Sequence, residues 1–403
     1  MSGPIITIIG WDGGPLRPPA LAVLARATLI VGGPRLLELL PLPTGVPTVP
    51  TRPLAAALDA VAAHDGPVVV LASGDPGLFG VTRTLRALGY QVAVLPAVSS
   101  VAVLAARLGQ AWDDAVVMSA HGRAPRAAIN AARALPAVFV LTAPEYGPAE
   151  LGRDLDGWPR ALVVGERLGH PDEAVTTCTP EEATARGWRD PNVVLVLDPA
   201  RHDANRRRLE SNQPAAPPGG FAAPESAFGY RDSMITKWEV RAIALARLGA
   251  TLGTLVWDVG AGSGSVGVEC AAMHAAVIAV DRDPDAAATI RRNAAARGVD
   301  IRVVIGPAPD VLAALPDPDA AFVGGGGIDV LRAVAARAPA RLVASYAALD
   351  RVAEARRALL AAGYAVEGVQ VQASRLVDLP GGSVRLAAAN PVFLLAATRA
   401  VQP

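Results

Sequence analysis

Between Leu255 and Ser265 the chain passes from an apolar run, Leu255–Val259, through Gly260-Ala261-Gly262-Ser263-Gly264 into a helix. A glycine loop between strand and helix brings backbone N–H groups close to a ligand, because side chains there would collide with it. It also commits the neighbouring residues to an α/β layer, in which such loops sit at strand carboxyl ends. The bare pattern is ambiguous. Gly262-Ser263-Gly264-Ser265-Val266-Gly267 satisfies the dinucleotide pattern G-x-G-x-x-G. Asp281 follows strand Val277–Val280, where the ribose of a nicotinamide or of S-adenosylmethionine (SAM) would need an acceptor. Two features favour SAM. Asp258, two residues before the first glycine, suits the ammonium of a methionine moiety and would sit badly beside a pyrophosphate. The chain also ends on two strand-like runs, Tyr364–Gln370 and Val392–Ala397, separated by a Gly381-Gly382 turn region rather than a helix. A closing antiparallel hairpin suits a methyltransferase better than a dehydrogenase. A nicotinamide-dependent oxidoreductase is the alternative reading.

The remaining pattern predicts two α/β domains. In the first half, strands at Ile5–Ile9, Val68–Ala72, Val92–Leu95, Ala115–Met118, Val138–Leu141, Leu162–Gly165 and Val193–Leu197 alternate with helices such as Leu54–Ala63, Phe79–Leu88 and Ser100–Leu108. Residues 201–222 break the rhythm with Arg206-Arg207-Arg208 and Pro214-Ala215-Ala216-Pro217-Pro218-Gly219-Gly220, so a linker is expected there between domains 1–200 and 223–403. The second half restarts with a helix from Thr236 to Leu248. Beyond the glycine loop it continues with helix Pro284–Arg297 and strands Ile301–Ile305, Ala320–Val323 and Leu342–Ser345. A chain of 403 residues fits two cores, and with 52% apolar but only 4% aromatic residues those cores must be built from Ala, Val and Leu.

Charge narrows the function. Thirty-seven basic residues balance 37 acidic ones, which argues against a nucleic-acid partner. Cys178 and Cys270 lie far apart, which fits a reducing cytoplasm, and the histidines show no metal-ligand spacing, so no metal is expected. No apolar run approaches the roughly 20 residues of a bilayer span, and Ile5–Ile9 reads as a first strand rather than a signal segment. A cytoplasmic homo-oligomer without membrane attachment is the expectation.

Several loops at strand ends could carry chemistry. Gly306-Pro307-Ala308-Pro309 would flank an adenine, and Gly324-Gly325-Gly326-Gly327 suggests close backbone approach to something bulky. Lys237 is the sole lysine in a chain that otherwise uses Arg, and a compact ammonium is not interchangeable with a planar fork; Lys237 and Glu239 are candidate proton-handling groups. In the first half, Gly74 and Asp75 follow one strand and Ser99 and Ser100 follow the next. They could hold a ligand or cap the ensuing helices. His121 occupies a third such end, where a lone histidine is more often structural.

Taken together these stretches resemble the precorrin methyltransferases of cobalamin biosynthesis. Residues 4–198 resemble the C5-methylating branch, through Val31-Gly32-Gly33-Pro34-Arg35, Leu71–Gly80, Pro96–Ser100, Ser119–Arg123 and Gly165–Glu173. Residues 225–400 resemble the companion decarboxylating C15-methyltransferases, through Ile235-Thr236-Lys237, Asp258–Gly267, Phe322–Gly327 and Asn390-Pro391-Val392-Phe393. The resemblance implies a tetrapyrrole-methylase-type α/β domain followed by a Rossmann-like class I methyltransferase domain. Each would bind its own SAM and act on a precorrin-type macrocycle, and a SAM-dependent pair acting on another substrate is the alternative. Family SAM contacts map onto Thr236, Gly260–Gly264, Asp281 and Ala308, and onto Asp75, Ser99 and Ser100. The chain departs from the family at its opening loop, Gly10-Trp11-Asp12-Gly13-Gly14 in place of G-x-G-x-D-G, and at Ser345-Tyr346, where the family tends to carry Asn.

Overall fold

A computed structural model describes residues 5–210, 221–231 and 235–399. It divides into two compact units, one of Met1–Arg123, Phe139–Gly152 and Leu162–Leu195, the other of Ala124–Val138, Arg153–Ala161 and Val196–Pro403.

In the first unit five strands form a parallel sheet in the order Thr48–Pro50, Leu29–Gly32, Val68–Ser73, Ile6–Trp11, Val92–Leu95. Val68, Val69, Val70 and Leu71 are all buried, as a central strand covered on both faces requires. Helices 18–24, 34–39, 54–62 and 81–87 supply that cover, and the core is Ile, Val, Leu and Ala throughout. A further sheet runs Val116–Ser119, Ala137–Leu141, Asn192–Leu197, Ala161–Glu166, Ala174–Cys178, the last two strands antiparallel. All seven expected strands of this half are present. Leu29–Gly32, Thr48–Pro50 and Ala174–Cys178 are additions that the pattern did not suggest.

The second unit holds a seven-stranded sheet in the order Arg302–Ile305, Ala276–Asp281, Leu255–Val259, Ala320–Val323, Arg341–Tyr346, Val392–Thr398, Ala365–Val371. The first five strands are parallel; Val392–Thr398 runs antiparallel between its two neighbours, which is the closing hairpin expected from the sequence. Strand order reverses between Leu255–Val259 and Ala320–Val323, and ligands of such sheets bind in the crevice outside that reversal. The stretch between the last two strands is not a simple turn. It forms a separate two-stranded ribbon, Ser374–Asp378 with Val384–Ala388, around Gly381-Gly382.

Residues 201–210, read from composition as linker, are helical as part of Pro199–Glu210. Asp198 nucleates the first turn by accepting from the Arg201 N–H at 3.3 Å, and Arg201 Nη1 donates to the Ala134 carbonyl at 2.9 Å. Those partners lie 3 and 67 positions away, and the distant one is invisible to composition. Residues 211–220 fall outside the described part of the chain. Segments 124–138 and 153–161 belong to the second unit although they precede the expected boundary: Arg126 and Asn130 donate to Asp319, at 2.7 and 3.2 Å, and Arg160 donates to Asp300 at 3.0 Å.

Candidate functional site

The glycine loop lines a cleft of ≈ 1310 Å³ at the carboxyl ends of the parallel strands of the second unit. Gly260 holds φ +73°, and a Cβ on it would come within 2.8 Å of the Gly325 nitrogen. The loops after the two strands flanking the reversal therefore approach each other so closely that only glycine fits.

Asp258, Thr236, Lys237, Gly260, Ala261, Gly262, Ser263, Asp281 and Ala308 all line the cleft. Gly264 does not. It sits at φ +70° as the N-cap of helix Ser265–Ala272, and a Cβ there would meet Ile290 at 2.9 Å. Its task is to bring that helix onto the core rather than to face the cleft.

Asp258 is 1% exposed, and its Oδ2 accepts from the Gly267 N–H at 2.8 Å. Burial lifts its carboxyl to about 7, with a further push from Asp281, against the pull of the Gly267 hydrogen bond. The cleft floor is thus a desolvated carboxyl poised to ionise beside a cation. Asp281 accepts from Gly262 N–H at 2.7 Å through Oδ2 and from Asp283 N–H at 2.9 Å through Oδ1. It pins the glycine loop to the end of the neighbouring strand, and each oxygen keeps a lone pair toward a ligand.

At the cleft mouth stands a four-charge cluster. Arg375, on the two-stranded ribbon, donates through Nη2 to Glu225 Oε1 at 2.8 Å and to Glu239 Oε2 at 3.1 Å. Lys237 Nζ is 4.0 Å from Glu225 Oε1. Burial alone would push the Glu225 carboxyl up; the hydrogen bond and charge of Arg375, with Lys237, bring it below the usual carboxylate range. Glu239, expected as a candidate proton-handling group, does not itself line the cleft; it holds Arg375, which does. Sequence reasoning missed Arg375 and Glu225. Their partnership spans 150 positions, and no local signal marks either.

A buried ion pair fixes the segment that carries Thr236 and Lys237. Arg241 donates to Glu269 Oε1 at 3.0 Å and to the Thr236 carbonyl at 2.6 Å, and also to the Ala223 carbonyl. Glu269 in turn accepts from the N–H groups of Ala222 and Ala223, at 2.7 and 2.9 Å. Every polar end of this pair is matched, which a buried charge needs.

In the first unit the loops after Ile6–Trp11, Val68–Ser73 and Val92–Leu95 converge. A Cβ on Gly10 would lie 2.3 Å from the Gly74 carbonyl oxygen and 2.8 Å from the Ala97 nitrogen. Gly74 adopts φ +62° and donates to the Trp11 carbonyl at 2.7 Å. Asp75 Oδ1 accepts from Gly77 N–H at 2.8 Å, and Ser99 Oγ caps helix Ser100–Leu108 by accepting from Ala102 N–H at 3.2 Å. The capping alternative raised for Ser99 is thus the one its hydroxyl adopts, and Ser100 is the first residue of that helix. The short opening loop closes on itself, since Trp11 Nε1 donates to the Gly14 carbonyl at 2.6 Å while Asp12 accepts from Gly14 and Val98 N–H groups. His121 is exposed.

Among the described residues no helix is long and apolar enough to cross a membrane. Residues 16–184 match the family described as tetrapyrrole (corrin/porphyrin) methylases, and residues 227–399 match the precorrin methyltransferase domain. The chain is 39% identical over 367 residues to precorrin-6Y C(5,15)-methyltransferase (decarboxylating) of Sinorhizobium sp, covering 86% of both chains. It is also 37% identical to a probable cobalt-precorrin-6B C(15)-methyltransferase (decarboxylating) of Pyrobaculum calidifontis, over 46% of this chain and 97% of that one. A cobalt-precorrin-7 C(5)-methyltransferase of Salmonella typhimurium is 31% identical over 48% of this chain and 99% of its own.

Proposed function

The chain belongs to the decarboxylating precorrin-6Y C5,15-methyltransferases, and on that premise we propose that it methylates carbons 5 and 15 of a precorrin-6 type macrocycle and removes the carboxyl of its carbon-12 acetate. In this reading domain 1–200 carries the C5 step and domain 223–403 the C15 step and decarboxylation, and each binds its own SAM. The observation that carries the reading is the cleft over Asp258. Its ≈ 1310 Å³ exceeds the roughly 300–1,000 Å³ of an ordinary small-molecule site, which leaves room for a cofactor and part of a large ring.

SAM, when bound, supplies an electrophilic methyl group; the chain supplies the binding and the alignment. The turn Gly260–Ser263, closed against Gly325 too tightly for a Cβ on Gly260, forms the cradle that the cofactor would lie against. Asp258 is assigned to the methionine ammonium, Asp281 to the ribose hydroxyls, and Thr236 and Ala308 to the remainder of the cofactor. In the first domain the crossing of Gly10, Gly74 and Ala97 is the corresponding cradle, with Asp75, Ser99 and Ser100 on its rim.

Decarboxylation needs an ionised carboxylate whose negative charge is not held too tightly, because strong pairing stabilises the ground state. Arg375 suits that role. Its charge is shared with Glu225 and Glu239, so it orients a substrate carboxylate without fully neutralising it. Lys237, at the cleft surface beside Glu225, is assigned as the proton donor to the carbon left behind, and Glu239 as the group that positions Arg375.

We further place the chain in the cytoplasm as a homo-oligomer. The exposed Leu376 and Leu386 of the ribbon, 71% and 66% accessible, offer an apolar surface to a second copy. The decisive test is mass spectrometry of the product formed from precorrin-6B and SAM. Gain of two methyl groups with loss of carbon dioxide is expected, and one methyl without decarboxylation would remove half of the reading. Heat protection by S-adenosylhomocysteine and none by NAD is expected alongside; the reverse would overturn the cofactor assignment.

A further inference from the structure

The first unit holds a cation with no acidic partner in a place where a free surface arginine would not need to be. Arg35, directly after Gly33-Pro34, is half-buried, and among the described residues its guanidinium pairs with no carboxylate. Nη2 instead donates to His170 Nε2. A guanidinium can only donate, so Nε2 must be the acceptor and the ring proton sits on Nδ1. His170 packs edge-on against Trp11, with centroids 6.0 Å apart at 80°.

The result is a patch made of donors. Arg35 keeps its Nε and Nη1 protons, and His170 keeps its Nδ1 proton. Of the charges nearby, Arg167 adds to the positive field and Asp172 offsets it in part. Burial first, and then the charges of Arg35 and Arg167, hold the His170 ring below the usual imidazole range, and Asp172 opposes them only in part. Arg167 is itself paired with Asp172 at 2.9 Å, and burial, then Arg167, lowers Arg35 as well. A half-buried arginine facing a neutral histidine and a second arginine gains most from an incoming anion.

The patch also adjoins the cradle. Trp11 ends strand Ile6–Trp11, whose Gly10 meets Gly74 and Ala97, and Gly169, next to His170, contacts the opening loop so closely that a Cβ on Gly13 would lie 2.9 Å from its carbonyl oxygen. An anion held by Arg35 therefore lies beside the place assigned to the first SAM.

We propose that Arg35 and His170 form a carboxylate-binding site that anchors one of the peripheral carboxylates of the macrocycle for the C5 step. This rests on the function proposed above, since the ligand is the substrate of that step.

The test uses the full chain, precorrin substrate and SAM, with C5 and C15 methylation resolved by mass spectrometry. Arg35→Gln is expected to raise KM for the macrocycle in the C5 step at least tenfold. S-adenosylhomocysteine affinity should stay within twofold, and C15 methylation should be unchanged. Arg35→Lys keeps the charge but not the fork and should fall between the two. A C5 KM within twofold of the parent in Arg35→Gln overturns the proposal. Should that variant lose its fold, seen as lost cofactor binding, the parent protein still decides the matter by NMR. Substrate carboxylate at this site must raise the His170 pKa, and an unchanged His170 titration in the complex overturns the proposal. A parent protein that methylates neither carbon would refute the underlying function instead, so the two failures are distinguishable.

Discussion

Replacing Asp258 with asparagine removes a carboxylate while keeping the oxygen that the Gly267 N–H needs. The wild-type carboxyl, lifted to about 7 by burial, is protonated across much of the acidic range in the unliganded protein. If it must ionise to hold the cofactor ammonium, only the ionised fraction binds tightly. That fraction is about one tenth at pH 6 and about three quarters at pH 7.5. Affinity for S-adenosylhomocysteine should therefore rise severalfold over that interval, on the order of 1 kcal/mol. Binding should release about 0.9 proton at pH 6 and about 0.25 at pH 7.5. Calorimetry in buffers of different ionisation enthalpy measures both quantities. Asp258→Asn should bind weakly at every pH and release no proton from this position. The same carboxyl sets a stability slope of known sign. Its folded value lies above its ordinary value of 3.8, so between those two pH values the folded chain keeps a proton that the unfolded chain gives up. Stability contributed by the protonated group is complete below pH 4 and falls as pH rises toward 7, by on the order of 4 kcal/mol. Asp258→Asn should remove that slope from urea-unfolding curves of the unliganded protein. A cofactor affinity that is flat between pH 6 and 7.5, without proton release, would refute the assignment of Asp258 to the ammonium.

Gly260→Ala forces a side chain to within 2.8 Å of the Gly325 nitrogen at φ +73°; it should cost about 1–3 kcal/mol of stability and abolish cofactor protection against heat. Arg241→Met leaves Glu269 buried without its partner, and urea titration should show a loss of about 3–5 kcal/mol; a neutral outcome would mean that the backbone N–H groups alone satisfy that carboxylate. Arg375→Gln should slow decarboxylation by about tenfold or more while leaving S-adenosylhomocysteine affinity unchanged by calorimetry. Equal loss in both would assign Arg375 to the cofactor instead.

Most of the second unit was legible because its signals are local. Leu255–Val259 and Ala320–Val323 are buried parallel strands, so each reads as a short apolar run that stops at glycines, and both boundaries agree with the structure to the residue. The strands that escaped notice lack that contrast. Leu29–Gly32 is four residues long and follows the apolar helix Pro18–Leu24 after a brief turn, so periodicity cannot separate them. Thr48–Pro50 is a three-residue edge strand, and Ala174–Cys178 is half-exposed, antiparallel and rich in threonine.

The site divides the same way. The sequence determined the glycine loop, the carboxylates at strand ends and the closing hairpin, because strand period, loop chemistry and chain order are properties of neighbouring residues. It could not determine that the Asp258 carboxyl is raised to about 7, because that follows from the complete burial of a side chain by elements far along the chain. Nor could it bring Arg375 to Glu225, Arg241 to Glu269, or Arg35 to His170, pairs separated by 150, 28 and 135 positions. Those contacts exist only once the sheets are assembled, and the electrostatics of both proposed sites depends on them.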